Sequence, residues 1–234
     1  MYKRILLKLS GEALKKGNEN SIYSQEGFLP IVDSIIDLHN QGTQVGIVIG
    51  GGNIYRGKLA DELNLEREPA DYMGMCATVI NCVALASALN KRGVKATVYN
   101  ALGAFPEDTC KAYDTEEAIK SLENGEVVFF AGGLGKPYFT TDTASARRAI
   151  ETKCEAILMA KNGVEGIYDK DPRINPDAKF FKDITYQQVL DLKLGVMDLS
   201  AVELLKDTDL QIRVFSMQDS NNIFSILHGE DSNL

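Results

Sequence analysis

The sequence predicts an α/β protein with three layers, αβα, and a mainly parallel central sheet. Short apolar segments rich in β-branched residues alternate with helical patterns along nearly the whole chain, which is typical of a parallel sheet covered by helices on both faces. The chain has 234 residues, of which 44% are hydrophobic and 25% are charged, so one sizeable core is possible. No linker rich in Gly, Pro or Ser interrupts the alternation, and we expect a single domain over 1–234.

The predicted strands are short apolar runs bounded by glycines or polar residues. The second of them, TQVGIVIG, shows the pattern plainly, with β-branched residues, no charge and a glycine at its end. Strands are expected at 3–9, 43–50, 95–100, 126–133, 155–161 and 211–217.

The predicted helices occupy the intervals between these strands. Phe28, Ile31, Val32 and Ile35 recur at helical spacing, and Gly42 ends the segment. A Thr or Asp cap opens the helix near 141. Helices are expected at 25–41, 71–93, 114–125, 141–153, 186–192, 197–207 and 221–229, with a polar loop at 163–179.

Composition argues against several functional classes. The net charge of −8 has the wrong sign for a protein that binds duplex nucleic acid. No apolar run is expected to span a membrane, and the basic start is interrupted by Lys8 without a cleavage site, which indicates a strand and not a signal peptide. The four cysteines have no zinc-binding spacing and are expected to be buried, reduced thiols. We therefore expect a cytoplasmic protein without nucleic-acid or membrane partners.

Glycine-containing polar turns follow four of the predicted strands. They read KLSGEA, GGGNIYRG, GGLGKPYFTTD and AKNGVEGIYDKD. Ligands of open α/β sheets bind at the carboxyl ends of the strands, and glycines let backbone N–H groups approach phosphate oxygens. The chain contains neither the P-loop pattern nor G-x-G-x-x-G. With Lys8, Arg56 and Asp142 among them, these turns predict a phosphate-binding site of another kind.

Six motifs, in order, resemble those of the bacterial UMP kinases within the amino acid kinase family. They are KLSGEAL, GGGNIYRG, ADYMGMCAT, PYFTTDTA, GVEGIYDKDP and VMDLSA, and the resemblance continues to IRVFSM. It implies the amino acid kinase fold, with a UMP-binding half over about 1–150 and an ATP-binding half over about 151–234. It also implies transfer of the γ-phosphoryl group of ATP to UMP, giving UDP and ADP for pyrimidine nucleotide (CTP) biosynthesis. Mg²⁺ would be held mainly through the nucleotide phosphates, without dedicated protein ligands.

The resemblance also assigns roles to individual residues. Lys8, Arg56 and Asp142 are implied to be catalytic: the two cations bind phosphate oxygens, and the carboxylate orients Mg²⁺ or the cations. The UMP-binding residues are Gly51, Asp71, Leu134, Gly135, Lys136, Pro137, Tyr138, Phe139, Thr140 and Thr141. The ATP-binding residues are Lys8, Leu9, Ser10, Gly11, Gly52, Arg56, Asn162, Tyr168 and Asp171. Asp198 matches a position with a structural role, as a helix cap.

Several alternatives remain open at this point. Asp71 could be an ordinary N-cap, Arg56 a solvated side chain, and Lys136, where many relatives have Asn, could bind phosphate or face water. The protein could instead be a kinase of the same family that acts on an amino acid or a carbamate, or a nucleotide-binding regulatory protein without catalysis. The resemblance further implies a homohexamer and inhibition by UTP, and it leaves activation by GTP open.

Overall fold

The computed structural model describes residues 2–16, 20–161, 166–195 and 197–216. Its central sheet has seven parallel strands in the order β4-β3-β5-β2-β1-β6-β9, and β7 pairs antiparallel with β8 as a separate hairpin. The strands are β1 (Arg4–Leu9), β2 (Gln44–Ile49), β3 (Ala96–Asn100), β4 (Lys111–Ala112), β5 (Val127–Ala131), β6 (Ala156–Lys161), β7 (Ile167–Tyr168), β8 (Phe180–Phe181) and β9 (Gln211–Ser216).

Helices cover both faces of this sheet, which confirms the predicted three-layer class. They are α1 (Gln25–Asn40), α2 (Gly57–Glu62), α3 (Arg67–Lys91), α4 (Thr115–Glu123), α5 (Thr141–Glu151), α6 (Tyr186–Asp191) and α7 (Leu199–Leu205), with short 3₁₀ turns at Gly11–Lys15 and Pro106–Asp108. One apolar core lies between the sheet and α1 and α3. The other lies between the sheet and α4, α5, α6 and α7.

The alternation of side chains along β1 determines where Lys8 lies. Successive residues of a strand point to opposite faces. Ile5, Leu7 and Leu9 belong to the core under α1 and α3, whereas Leu6 belongs to the core under α5. Lys8 follows the same alternation as Leu6 and therefore faces α5, at the carboxyl end of the strand.

Some expected boundaries were wrong. The long helix α3 begins at Arg67 and not at 71, because Pro69 lies in its first turn, where a missing N–H costs nothing. The loop expected at 163–179 contains β7 within its described part, and α2 and β4 were not predicted. The helix expected at 221–229 lies outside the described residues.

Helix α3 also departs from the expectation that no segment could span a membrane. By length and composition it could do so. About half of its apolar part is buried within the protein, where α3 packs on β3 and β5. Cys82, Cys110 and Cys154 are buried as expected, but Cys76 is exposed on the outer side of α3, so the prediction for that thiol was wrong.

Candidate active site

A cavity of about 380 Å³ opens at the carboxyl edge of the sheet. It is bounded by the glycine turn after β2, by α2, by the first turns of α3 and by the connection from β5 to α5. Seven of the residues expected to bind substrates line it. They are Gly51, Gly52, Asp71, Lys136, Phe139, Thr140 and Thr141. The structure thus brings together, around one cavity, residues that are up to 90 positions apart in the sequence.

The glycine turn approaches α3 so closely that Gly51 has no room for a side chain. A Cβ there would lie 2.7 Å from the Cβ of Ala77 and 3.0 Å from the carbonyl oxygen of Gly74. A Cβ at Gly52 would lie 3.4 Å from a carboxylate oxygen of Glu12, an ordinary contact. Helix packing therefore requires the glycine at 51, whereas only the approach of a ligand would require one at 52.

The same turn offers backbone donors to a ligand. The carbonyl of Gly51 accepts the N–H groups of Ile54 and Tyr55, at 2.9 Å each, which closes the turn. In the described part of the chain, the N–H groups of Gly51 and Gly52 have no acceptor of their own. Two neighbouring free N–H groups are typical of a phosphate cradle.

Lys8 and Asp142 form an ion pair beside the cavity, 2.6 Å between Nζ and Oδ1, with both side chains largely buried. Asp142 lies in the first turn of α5, where the helix dipole favours a negative charge. Thr140 caps this helix by accepting the N–H of Asp142 at 3.1 Å and that of Thr143 at 3.3 Å. The cap by Thr140, the dipole of α5 and the ammonium group of Lys8 thus hold the carboxylate of Asp142 in place.

Asp198 connects α7 to the start of α5. Its side chain accepts the N–H of Ala201 at 2.9 Å, which confirms the predicted helix cap. It also accepts the hydroxyl groups of Thr140 and Thr143, and its own N–H donates to Asp142 over 3.3 Å. Asp198 therefore orients the catalytic candidate Asp142 in addition to capping its own helix.

Arg56 contacts Glu12 and does not line the cavity. Its Nε and Nη2 atoms donate to one carboxylate oxygen of Glu12, at 3.0 and 2.8 Å, and 64% of its side chain is exposed. A guanidinium so exposed can exchange this carboxylate for a phosphate at little cost. Glu12 was not predicted as a site residue, although its position in KLSGEAL was available as a signal.

Asp71 connects α3 with the loop after β5. One carboxylate oxygen accepts Nε of Arg67 at 2.9 Å, and the other accepts the N–H of Tyr138 at 2.7 Å. Asp71 is the fifth residue of α3 and not its N-cap, so that alternative was wrong. Arg67 lines the cavity and was missed, although its i,i+4 spacing to Asp71 is a recognisable signal.

The loop residues separate into two groups. Lys136, Phe139, Thr140 and Thr141 line the cavity, whereas Leu134, Gly135, Pro137 and Tyr138 do not. The ring of Tyr138 points outward, with its hydroxyl donating to Glu68 at 3.1 Å and with 60% of the residue exposed. Of the two aromatic residues of this loop, Phe139 is the one that lines the cavity.

The residues expected to bind ATP follow β1 and β6. Leu9 ends β1, and Ser10 and Gly11 follow it, with Gly11 packed against the carbonyl of Gly50. Tyr168 contacts the edge of Phe180 across the hairpin, with 5.3 Å between ring centroids. The side chain of Arg173 donates to Asp171 and lowers the pKa of that carboxyl to about 2. Asn162 lies outside the described residues.

Fold and site together define a parallel α/β protein whose carboxyl edge combines a cavity, free backbone N–H groups and a helix start, the features that suit a phosphate-bearing ligand. The model of the amino acid kinase family matches residues 3–216. The chain is 48% identical to a protein named uridylate kinase from Mesoplasma florum, over 97% of this chain and 94% of that protein. This chain belongs to the amino acid kinase family.

Two solved structures agree with this assignment. The UMP kinase from Bacillus anthracis superposes with a TM-score of 0.93 and 37% identity, covering 98% of this chain and 93% of that one. The UMP kinase from Ureaplasma parvum superposes with a TM-score of 0.91 and 38% identity, covering 99% and 97%. The agreement with these structures confirms the predicted amino acid kinase fold.

Proposed function

We propose that this protein is a UMP kinase, which transfers the γ-phosphoryl group of ATP to UMP and releases UDP and ADP. One observation carries the proposal: the cavity joins bare glycine backbone, a capped helix start and two cationic side chains, and it borders on the Lys8–Asp142 pair. Its volume lies within the range of small-molecule sites. The names of the relatives and of the solved structures support UMP as the acceptor.

The charges around the cavity suit a phosphorylated acceptor with a ribose. Lys136 lines it and forms no ion pair within the described part of the chain, while Arg67 is held by Asp71. The N–H groups of Gly51 and Gly52 and the start of α5 add further donors. Asp71 would repel a phosphate, so its carboxylate fits the ribose hydroxyls better.

The reaction needs charge neutralisation more than proton transfer. The attacking phosphate oxygen of UMP is already ionised, so no general base is required. Lys8 would neutralise charge on the transferring phosphoryl group, held in position by Asp142. Mg²⁺ would shield the phosphates of ATP, and Asp142 would orient either this cation or the cationic side chains. The described residues contain no group of three His, Cys, Asp or Glu arranged as a metal site. We propose that the nucleotide phosphates carry most of the cation's ligands.

The division of the chain is part of this proposal. The cavity residues lie between 51 and 141, which supports UMP binding by the part over about 1–150. ATP would then bind over about 151–234 together with Lys8, Ser10 and Gly11. Both parts share one sheet, since β1 pairs with β2 on one side and with β6 on the other, and we propose that they form a single domain in the cytoplasm.

We also infer that the outer side of α3 is covered by a second copy of the chain within a homohexamer. Tyr72, Met73, Cys76 and Ile80 are exposed there at helical spacing, and a contiguous apolar strip of this kind favours an interface. Ile80→Asp would lower the molar mass measured by light scattering. UTP, which shares the uridine group of UMP, would act as an inhibitor, and a rise in the KM for UMP with UTP concentration would support competition.

The test is an assay of ADP release with Mg·ATP and a panel of acceptors. The panel contains UMP, CMP, dTMP, aspartate and glutamate derivatives. Activity confined to UMP supports the proposal. Activity only with an amino acid would mean that the protein is an amino acid kinase of the same family and not a UMP kinase. Binding of UMP without UDP formation would instead favour a regulatory protein.

A further inference from the structure

The loop over 132–140, here called the acceptor loop, has an unusual backbone. Gly132, Gly133, Gly135 and Tyr138 all have positive φ angles, of 72°, 58°, 70° and 71°. A tyrosine in this region is strained, and glycines give up much conformational freedom when they are ordered. Such a backbone persists only where the surrounding contacts determine it.

Within the described residues, side chains of neighbouring elements make three hydrogen bonds to the backbone of the acceptor loop. The hydroxyl of Thr78 accepts the N–H of Gly132 at 2.9 Å. Asp71 accepts the N–H of Tyr138 at 2.7 Å. The third contact involves Arg148 of α5, whose Nη2 donates to the carbonyl of Gly133 at 3.1 Å.

Arg148 is fixed on several sides. It is only 5% exposed, its Nη1 donates to Glu151 at 2.7 Å, and its guanidinium carbon lies 3.4 Å from the ring centroid of Tyr113. Its Nε is buried without a partner in the described part of the chain. Retaining a buried cation with an unsatisfied donor costs stability, which points to a role beyond stability.

The side chain of Arg148 connects the start of the acceptor loop with the helix that follows the loop. The loop leads directly into α5, and Arg148 lies seven residues after Thr141, about 10 Å along the helix. From there it reaches back to Gly133, near the start of the loop. Gly133 and Thr141 both line the cavity, whereas Arg148 does not.

We infer that Arg148 is a positioning residue for the acceptor nucleotide, acting through the carbonyl of Gly133. The inference rests on the proposed function. Lysine cannot replace arginine here, because a single ammonium group cannot contact Glu151 and Gly133 while stacking flat on Tyr113. Loosening the loop would displace Phe139 and Thr140, which contact the cavity, and leave the residues after β1 and β6 in place.

The test compares Arg148→Lys with a matched control, Arg4→Lys. Arg4 is also largely buried, 9% exposed, and donates to a backbone carbonyl, that of Thr152, at 2.6 Å. It lies at the opposite, amino edge of the sheet, because β1 begins with it. Both variants are expected to melt at lower temperature than the wild type, so stability alone will not distinguish them.

The kinetic constants distinguish the two variants. In Arg148→Lys the KM for UMP is expected to rise about 10-fold while the KM for ATP changes less than about 2-fold. In Arg4→Lys both KM values should stay at the wild-type level. Equal changes of both KM values in Arg148→Lys, no change in either, or an equal rise in the KM for UMP in Arg4→Lys would each overturn the inference.

A second variant covers the case in which Arg148→Lys does not fold. Glu151→Gln keeps Arg148 but weakens the ion pair of its Nη1 with residue 151. We therefore expect a smaller rise in the KM for UMP, and no change in the KM for ATP. An unchanged KM for UMP in this variant would overturn the inference. If the wild-type protein forms no UDP, the proposed function and the inference both fail. If the wild type forms UDP but the variants lack the expected KM changes, only the inference fails.

Discussion

Substitution of two neighbouring glycines by alanine separates packing from ligand binding in the turn after β2. Neither Gly51 nor Gly52 has a positive φ angle, so alanine fits the backbone at both positions. The new Cβ at 51 would meet α3 at 2.7 Å, whereas at 52 it would meet Glu12 at 3.4 Å. The two variants therefore differ in what surrounds the added methyl group and not in backbone strain.

The magnitudes follow from these distances. Overpacking of this kind costs about 1–3 kcal/mol, and the loss of unfolded-state freedom on replacing glycine by alanine returns about 0.4–1 kcal/mol. Gly51→Ala should therefore lose about 1–2 kcal/mol of unfolding free energy, a fall in Tm of roughly 2–8 °C for a chain of this size. Gly52→Ala should match or slightly exceed the wild type in stability.

Urea denaturation followed by circular dichroism measures the unfolding free energy of Gly51→Ala. The UMP kinase assay measures the activity of Gly52→Ala. Gly52→Ala is expected to lower kcat/KM about 10-fold or more, because its methyl group would stand between the backbone donors and a phosphate. A Gly51→Ala variant as stable as the wild type would refute the packing argument. A fully active Gly52→Ala variant would remove that glycine from the phosphate site.

Three further predictions concern single side chains. Arg56→Ala should reduce turnover about 100-fold without loss of Tm, since the side chain is 64% exposed; turnover near the wild-type rate would remove Arg56 from the reaction. Asp71→Ala should raise the KM for UMP about 10-fold and that for ATP much less, and equal effects would argue against a ribose contact. Burial alone would raise the pKa of Glu126, but the hydrogen bonds of Lys95, Thr97 and Ser121, together with the charge of Lys95, lower that pKa below 4.5. Its stabilising contribution is complete above pH 4.5 and disappears as the pH falls through the lowered pKa. The Tm difference between wild type and Glu126→Gln should shrink over that range, and a constant difference would contradict the assignment.

The sequence alone was sufficient for features that depend on local pattern. Apolar runs with β-branched residues predicted the strands of the sheet, except the two-residue strands. Glycine turns after these runs predicted the edge of the sheet at which the cavity lies, because the carboxyl ends of parallel strands meet at one edge. The boundary of α3 was missed since Pro69 looks like a helix breaker unless the position of the first turn is known.

Contacts between distant segments were decided only by the tertiary structure. The pairing of β1 with both β2 and β6 makes it an interior strand and puts Lys8, at its carboxyl end, opposite Asp142. Asp71 accepts a backbone N–H from Tyr138, 67 residues away, and Arg148 reaches Gly133 beneath the same loop. No local pattern encodes these contacts, because they follow from the order of the strands, and that order depends on how the apolar surfaces of the whole chain pack together.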